Sequence, residues 1–154
     1  MANYFEIKVK RTHVNENNAY QTDKEMYLVD ALTYTEAEAR IAKGMEQFHT
    51  GDSYSVLKIQ GSKITKIHAQ QVEPDEDGAI PEMSYFKVKC LVCVEIEGRK
   101  KPKKLPLFAL IKALTPEDAV REVDTMMESE FTETDFELVK VEKTKFVGVI
   151  VLNK

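Results

Sequence analysis

The sequence has no tryptophan and only two cysteines, Cys90 and Cys93, among its 154 residues. So few thiols exclude a disulfide framework and point to a reducing compartment. Six glycines and five prolines leave little material for strained catalytic turns. No Gly-rich phosphate loop, G-x-S-x-G, H-E-x-x-H or dinucleotide fingerprint occurs. The three histidines, His13, His49 and His68, are scattered and set up no metal-ligand spacing. Long apolar runs are missing too. The longest, Phe146 to Leu152, is far too short for a membrane span. The start, Met1-Ala2-Asn3-Tyr4-Phe5, lacks the charged and apolar blocks of a signal peptide. Cations do not dominate: 22 Lys and Arg face 26 Asp and Glu, a formal net charge of −4. That excludes coating of nucleic acid by bulk attraction but leaves room for a local basic patch.

What is present is a globular balance, 43% hydrophobic and 31% charged, which supplies a core and argues against general disorder. The chain also repeats itself. Tyr4-Phe5-Glu6-Ile7-Lys8-Val9 matches Tyr85-Phe86-Lys87-Val88-Lys89-Cys90 at an offset of 81. Leu28–Thr33 then matches Leu110–Thr115 at an offset of 82, and the same offset pairs Ala37, Ile41 and Met45 with Ala119, Val123 and Met127. It also pairs Tyr54–Ile59 with Phe136–Val141. Four matches in order, with one slip in a hairpin loop, indicate duplication.

Each copy reads as β-β-α-β. Phe5, Ile7 and Val9 alternate with charged residues, as do Phe86, Val88, Cys90, Val92 and Val94 over a longer span. Second strands follow at Met26–Leu32 and Leu107–Leu114. The run 107–111 is apolar on both faces, which suits a central strand. Thr33-x-x-Glu36 and Thr115-x-x-Asp118 are placed as helix N-caps, and Pro116 as a first helical residue. Helices are therefore expected near 34–48 and 116–130, with stripes through Ala37, Ile41, Met45, Phe48 and through Ala119, Val123, Met127, Phe131. The last strand of each copy, near 54–60 and 136–142, continues after a kink into 63–68 and 145–152. The expected architecture is α+β: two diverged β-β-α-β repeats with pseudo-twofold symmetry, mainly antiparallel sheet with two helices. Its parts are a first repeat over 1–69, an acidic linker over 70–83 and a second repeat over 84–154, around one shared core. A unit of about 70 residues is marginal alone.

Two motifs are decoys. Cys90-x-x-Cys93 lies inside an alternating strand, where positions three apart face opposite sides and cannot close on one metal. Cys90 is expected inward with Phe86 and Val88, and Cys93 on the other side. Glu73, Asp75, Asp77 and Gly78 imitate a calcium loop, but position twelve is Ser84, Pro74 and Pro81 stiffen the segment, and strands flank it. No catalytic residue, metal site or cofactor is assigned.

Two surfaces are candidates for binding. The polar faces of the first strands carry Tyr4, Lys8 and Lys10, and Tyr85, Lys87 and Lys89. Rings and lysines on an open sheet can stack bases and hold phosphates. Beside them, Arg99-Lys100-Lys101-Pro102-Lys103-Lys104 places five cations in six residues at a hairpin tip. Against this, strand-face lysines also serve solubility, and charged tips are usually only solvated. The second surface is the run Phe146, Val147, Val149 and Val151, apolar on both faces where its counterpart Lys63–Ile67 alternates. Such a strand needs a cover, from the first copy or from a second chain. So small a protein has little spare surface for covering strands, which favours a second chain, hence a homodimer or a partner interface.

The stretches Tyr4–Val9, Tyr27-Leu28-Val29-Asp30-Ala31-Leu32 with Glu36-Ala37-Glu38-Ala39-Arg40, and Tyr85–Lys89 resemble the domain of unknown function 4494 family. The resemblance spans nearly the whole chain. It implies an origin in gut Bacteroidetes, their mobile elements or their phages, and action in the host cytoplasm; it supplies no catalytic residues. The expected function is a non-enzymatic binding protein of phage or mobile-element type, associated with single-stranded nucleic acid through the Lys/Tyr face and the basic tip. Two other readings stand beside it. One is a protein-binding module acting on a host factor, a defence system or a phage assembly. The other is an enzyme with a pocket the sequence does not reveal.

Overall fold

The computed structural model describes residues 3–49, 51–94, 97–98, 100–101, 103–130 and 136–150. The elements run β1 (Tyr4–Val14), β2 (Tyr20–Asp30), α1 (Tyr34–Phe48), β3 (Ser53–Gly61), β4 (Ile64–Ala69), β5 (Ser84–Val94), β6 (Lys103–Ala113), α2 (Pro116–Glu130), β7 (Phe136–Lys143) and β8 (Phe146–Ile150). The protein is α+β, with two four-stranded sheets and two helices. No helix among the described residues is long and apolar enough to cross a membrane.

The helices start where the sequence places them. Thr33 Oγ1 accepts from the Glu36 backbone N–H at 3.1 Å, and the Glu36 carboxylate reaches back to the Leu32 N–H at 3.4 Å. Thr115 Oγ1 accepts from the Asp118 N–H at 3.1 Å. The two threonine bonds satisfy amides that the first helical turn leaves without an intrahelical partner. Between α1 and β3 the chain turns through Gly51 at φ 88°, a left-handed conformation that a side chain would strain.

The strands pair in the order β3-β1-β2-β8 in one sheet and β4-β6-β5-β7 in the other. The kinked strand of each copy is thus divided between sheets. The chain leaves unit 1, residues 1–63 with 145–154, after Lys63, forms unit 2 over 64–144, and returns at Lys145. Repeat boundaries read along the sequence and the boundaries of the compact units therefore differ: β4 belongs to the first repeat and closes the sheet of the second, and β8 does the reverse.

Connectivity and register recur between the copies. Lys8 pairs with Lys58 and Val9 with Val56, skipping Leu57; Lys89 pairs with Lys140 and Cys90 with Leu138, skipping Val139. Both exchanged strands run parallel to their neighbour. Met26–Phe146 is followed by Tyr27–Gly148, and Ile64–Phe108 by Lys66–Ala109, so Val147 and Thr65 are skipped. All four edge strands carry such an irregularity. A bulge twists an edge away from further pairing and so blunts it.

The apolar faces bury as the alternation requires. In unit 1, Phe5, Ile7, Val9, Tyr27, Val29 and Ala31 pack against Ala37, Ile41 and Met45 of α1, with Ile150 of β8 alongside. In unit 2, Phe86, Val88, Cys90, Val92, Ala109, Ile111 and Ala113 pack against Ala119, Val123, Met126 and Met127. Each of these clusters lies within one unit, and Leu28, Ile64 and Leu110 are buried outside both. The side chains of Phe48 and Phe131, expected on the helix stripes, lie outside the described residues. Strand β6 is central, as its two-sided apolar run requires. Cys90 is fully buried with Phe86 and Val88, Cys93 is half-buried and outside that cluster, and both thiols are free. The Asp75 carboxylate of the acidic linker accepts from the Asp77 and Ala79 amides at 2.9 and 2.8 Å. It caps a tight loop, as Asn15 does in the β1–β2 hairpin.

Candidate functional site

The first-strand faces are less open than a stacking platform requires. Lys8 and Lys10 are exposed, but Tyr4 is half-buried, and burial together with nearby Asp30 raises its phenol above the ordinary range. On the same face, paired with Glu6, Leu28 is 0% exposed. In the second copy the face is tighter. Lys87 and Lys89 lie over the Phe108 ring at 5.2 and 5.7 Å, and Lys112 over Tyr85 at 5.5 Å. Burial raises the Tyr85 phenol as well. These lysines already use aromatic faces within their own sheet. The two trios also belong to different compact units, Tyr4, Lys8 and Lys10 to unit 1 and Tyr85, Lys87 and Lys89 to unit 2.

The basic hairpin is different. Strands β5 and β6 stay paired to their ends, Cys93 with Lys104 and Val94 with Lys103, so the hairpin carries its lysines outward on an antiparallel arm. Lys100, Lys101, Lys103 and Lys104 are all exposed. Among the described residues only Lys104 has an ion-pair partner, Glu137 at 3.8 Å. Arg99 lies outside the described residues. The equivalent β1–β2 tip, Asn15 to Ala19, contains no lysine or arginine. The cations belong to one copy and are not a general feature of the hairpin.

On the β8 strand, Phe146 and Val149 are half-buried and Val147 is 52% exposed; Val151 lies outside the described residues. The first copy supplies a neighbour on one side, β2, and Ile150 packs into the core of unit 1.

A polar cluster that pattern reading missed sits in unit 1, beyond the C-terminal end of α1. It extends the buried face of β1, past Val9. Arg11 donates from Nε and Nη2 to the two Glu25 oxygens at 2.8 and 3.3 Å, and from Nη1 to Asp52 at 2.7 Å. The Tyr27 hydroxyl donates to Glu25 at 3.3 Å and lies 3.1 Å from His49 Nε2. Its pKa is pushed up to about 12, first by burial and then by the Glu25 charge. Hydrogen bonds that the Arg11 guanidinium donates to Glu25 and Asp52 hold its pKa well above the ordinary value. His49 and Asp52 also line an open groove of about 520 Å³ with Lys43, Met45 and Tyr54. The second copy carries Val92, Leu107 and Ala109 where the first has Arg11, Glu25 and Tyr27. That contrast between aligned copies is the signal that finds the cluster in the sequence.

A family model, Domain of unknown function (DUF4494), matches residues 3–152. The chain belongs to the DUF4494 family. The match covers both repeats and both exchanged strands of this DUF4494 chain. No curated protein matches it.

Proposed function

We propose that this DUF4494 chain is a non-enzymatic binding protein, of phage or mobile-element type and acting in the cytoplasm, that contacts single-stranded nucleic acid through its β5–β6 hairpin. The observation that carries the reading is the exposed lysine cluster at the end of that arm, most of it without an acidic partner among the described residues. Exposed cations on such an arm gain from phosphate by releasing its counterions, whatever the sign of the total charge. The half-buried Tyr85 face contributes less, because its lysines are already placed over rings.

The polar cluster of unit 1 does not favour an enzyme. Arg11 binds both Glu25 oxygens and one Asp52 oxygen, so the charges of the cluster already compensate one another as a structural network does. The protein-binding reading rests on the exposed Val147 of β8, and the bulge at that residue weakens it as a docking edge.

The test is a salt titration of binding to single-stranded DNA and RNA. Changing Lys100, Lys101, Lys103 and Lys104 to Ala should weaken binding and flatten the log–log salt slope by roughly one unit per lost phosphate contact. No binding by the unmodified protein at low salt overturns the reading.

A further inference from the structure

The sheet of unit 1 buries Ile7 and Val9 against α1, so Lys8 and Lys10 stand on its outer face. Two more lysines join them there. Lys8 is directly opposite Lys58 of β3, and Lys10 directly opposite Lys24 of β2. Cross-strand neighbours lie about 5 Å apart at Cβ, and like charges placed so destabilise a sheet. All four lysines are exposed, and none has an ion-pair partner among the described residues. The rows that hold them, Met26–Lys8–Lys58 and Lys24–Lys10–Ser55, contain no acid, and neither does the next row, Thr22–Thr12–Ser53. Lysines kept for solubility alone are better interspersed with acids.

This face is closed at one end and open at the other. Half-buried Tyr4 and fully buried Leu28 mark the closed end. Beyond the lysines, Tyr20 pairs with Val14 on the same face and is 84% exposed. It lies four residues from Lys24, about 13 Å along β2. The hydroxyls of Thr12 and Thr22, 3.2 Å apart, occupy the row between. A free ring followed by hydroxyls and cations offers a single strand a stacking surface and phosphate contacts in sequence.

The second repeat does not keep the arrangement. Leu91 and Pro106 stand where the first has Lys10 and Lys24. The two lysines it retains are engaged: Lys89 lies over the Phe108 ring, and Lys140 is 3.3 Å from Glu142. The crowded, unpaired lysines belong to the first repeat alone.

We infer that unit 1 carries a second contact for single-stranded nucleic acid, on the outer face of the β1–β2 hairpin, where Tyr20 stacks a base and Lys8, Lys10, Lys24 and Lys58 hold the phosphates. The inference rests on the nucleic-acid reading above and adds a site in the other unit. The stacking ring of this face is Tyr20 at the open end, in place of Tyr4 at the closed one.

The test uses the full chain, with oligothymidylate as probe and polyglutamate as control. Tyr20→Trp introduces the first tryptophan of the chain; its fluorescence should be quenched by oligothymidylate and not by polyglutamate. Changing Lys8, Lys10, Lys24 and Lys58 to Ala should flatten the log–log salt slope by roughly 0.7 units per lost phosphate contact. The melting temperature should hold or rise, because the like-charge pairs are gone. Tyr20→Ala should weaken binding roughly fivefold or more and leave the slope unchanged. If these variants bind as the parent does while the Lys100, Lys101, Lys103 and Lys104 variant does not, this inference falls and the β5–β6 reading stands. The opposite pattern upholds the inference and removes the β5–β6 contact. Equal binding of polyglutamate, no quenching in the Tyr20→Trp chain, or no binding of oligothymidylate by the parent overturns the inference.

Discussion

Replacing Arg11 by Val, the residue at the equivalent position of the second repeat, should destabilise the protein, and replacing Glu25 by Leu as well should recover most of the loss. Arg11 binds both Glu25 oxygens and one Asp52 oxygen, and the three side chains are 12%, 14% and 25% exposed. Removing the guanidinium strands two carboxylates that have given up part of their hydration. Breaking a fully buried pair costs about 3–5 kcal/mol; residual water access here reduces that to about 2–3 kcal/mol. For a chain of this length that is a fall of roughly 5–10 °C in melting temperature. In Arg11→Val/Glu25→Leu the more buried of the two carboxylates is gone, Asp52 keeps water access and lies 3.9 Å from His49 Nδ1, and Tyr27 keeps His49 as a hydrogen-bond partner. The second repeat builds the same place from Val92 and Leu107, both packed in its core. The double variant should therefore lie within about 1 kcal/mol of the parent, since apolar replacements of buried ion pairs are often neutral. Urea unfolding followed by far-UV circular dichroism measures all four corners of the cycle. A single variant costing under about 0.5 kcal/mol would make the cluster an ordinary surface pair. A double variant costing the sum of the singles would refute the idea that the penalty is an orphaned charge.

Three further outcomes follow from particular residues. Burial pushes the Cys90 thiol up, and it lies in the core, so a thiolate-selective alkylating reagent at pH 8 should modify half-buried Cys93 first and Cys90 only on unfolding; equal rates in the native state would contradict the strand assignment. Hydrogen bonds from His13 and then Gln21 hold the Asp23 carboxyl below its usual value. Its stabilising effect is present above the unfolded-state pKa near 4 and lost as pH falls through the depressed folded value. Asp23→Asn should therefore flatten the stability profile below about pH 4, and an unchanged acid limb would refute this. Val147→Lys should leave melting temperature within about 0.5 kcal/mol equivalent, because Val147 is an exposed bulge residue. If light scattering shows an oligomer that this change dissolves, β8 is its interface; a parent chain that is monomeric at high concentration excludes the homodimer.

Local elements were legible because local chemistry decides them. Thr33 and Thr115 marked the helix starts through hydroxyls that the backbone then uses. Strict alternation through Phe5, Ile7 and Val9 set the buried face, and the two-sided run 107–111 set β6 as central. The lysine tip was legible as composition alone. The openness of the Tyr/Lys face was not, because nothing along β5 tells that Lys87 and Lys89 will meet Phe108 from the neighbouring strand. Cross-strand neighbours depend on register, which a period-2 pattern constrains only by face.

The exchange of last strands follows from the connection and not from the hydrophobic pattern. In the first sheet β3 runs parallel to β2, with β1 between them, so the free edge of β2 lies three strand spacings from β3. The two residues Ser62 and Lys63 cannot carry the chain across to a parallel place on that edge, and Thr144 and Lys145 cannot do so in the second sheet. The pattern does not show this, because it asks only that β8 be buried. The cluster of Arg11, Glu25 and Tyr27 escapes pattern reading for a different reason. It is a difference from Val92, Leu107 and Ala109, and differences disappear when the copies are read for what they share. In a repeated sequence, agreement between copies reports the fold common to both, and disagreement reports where one copy has taken on a task the other lacks.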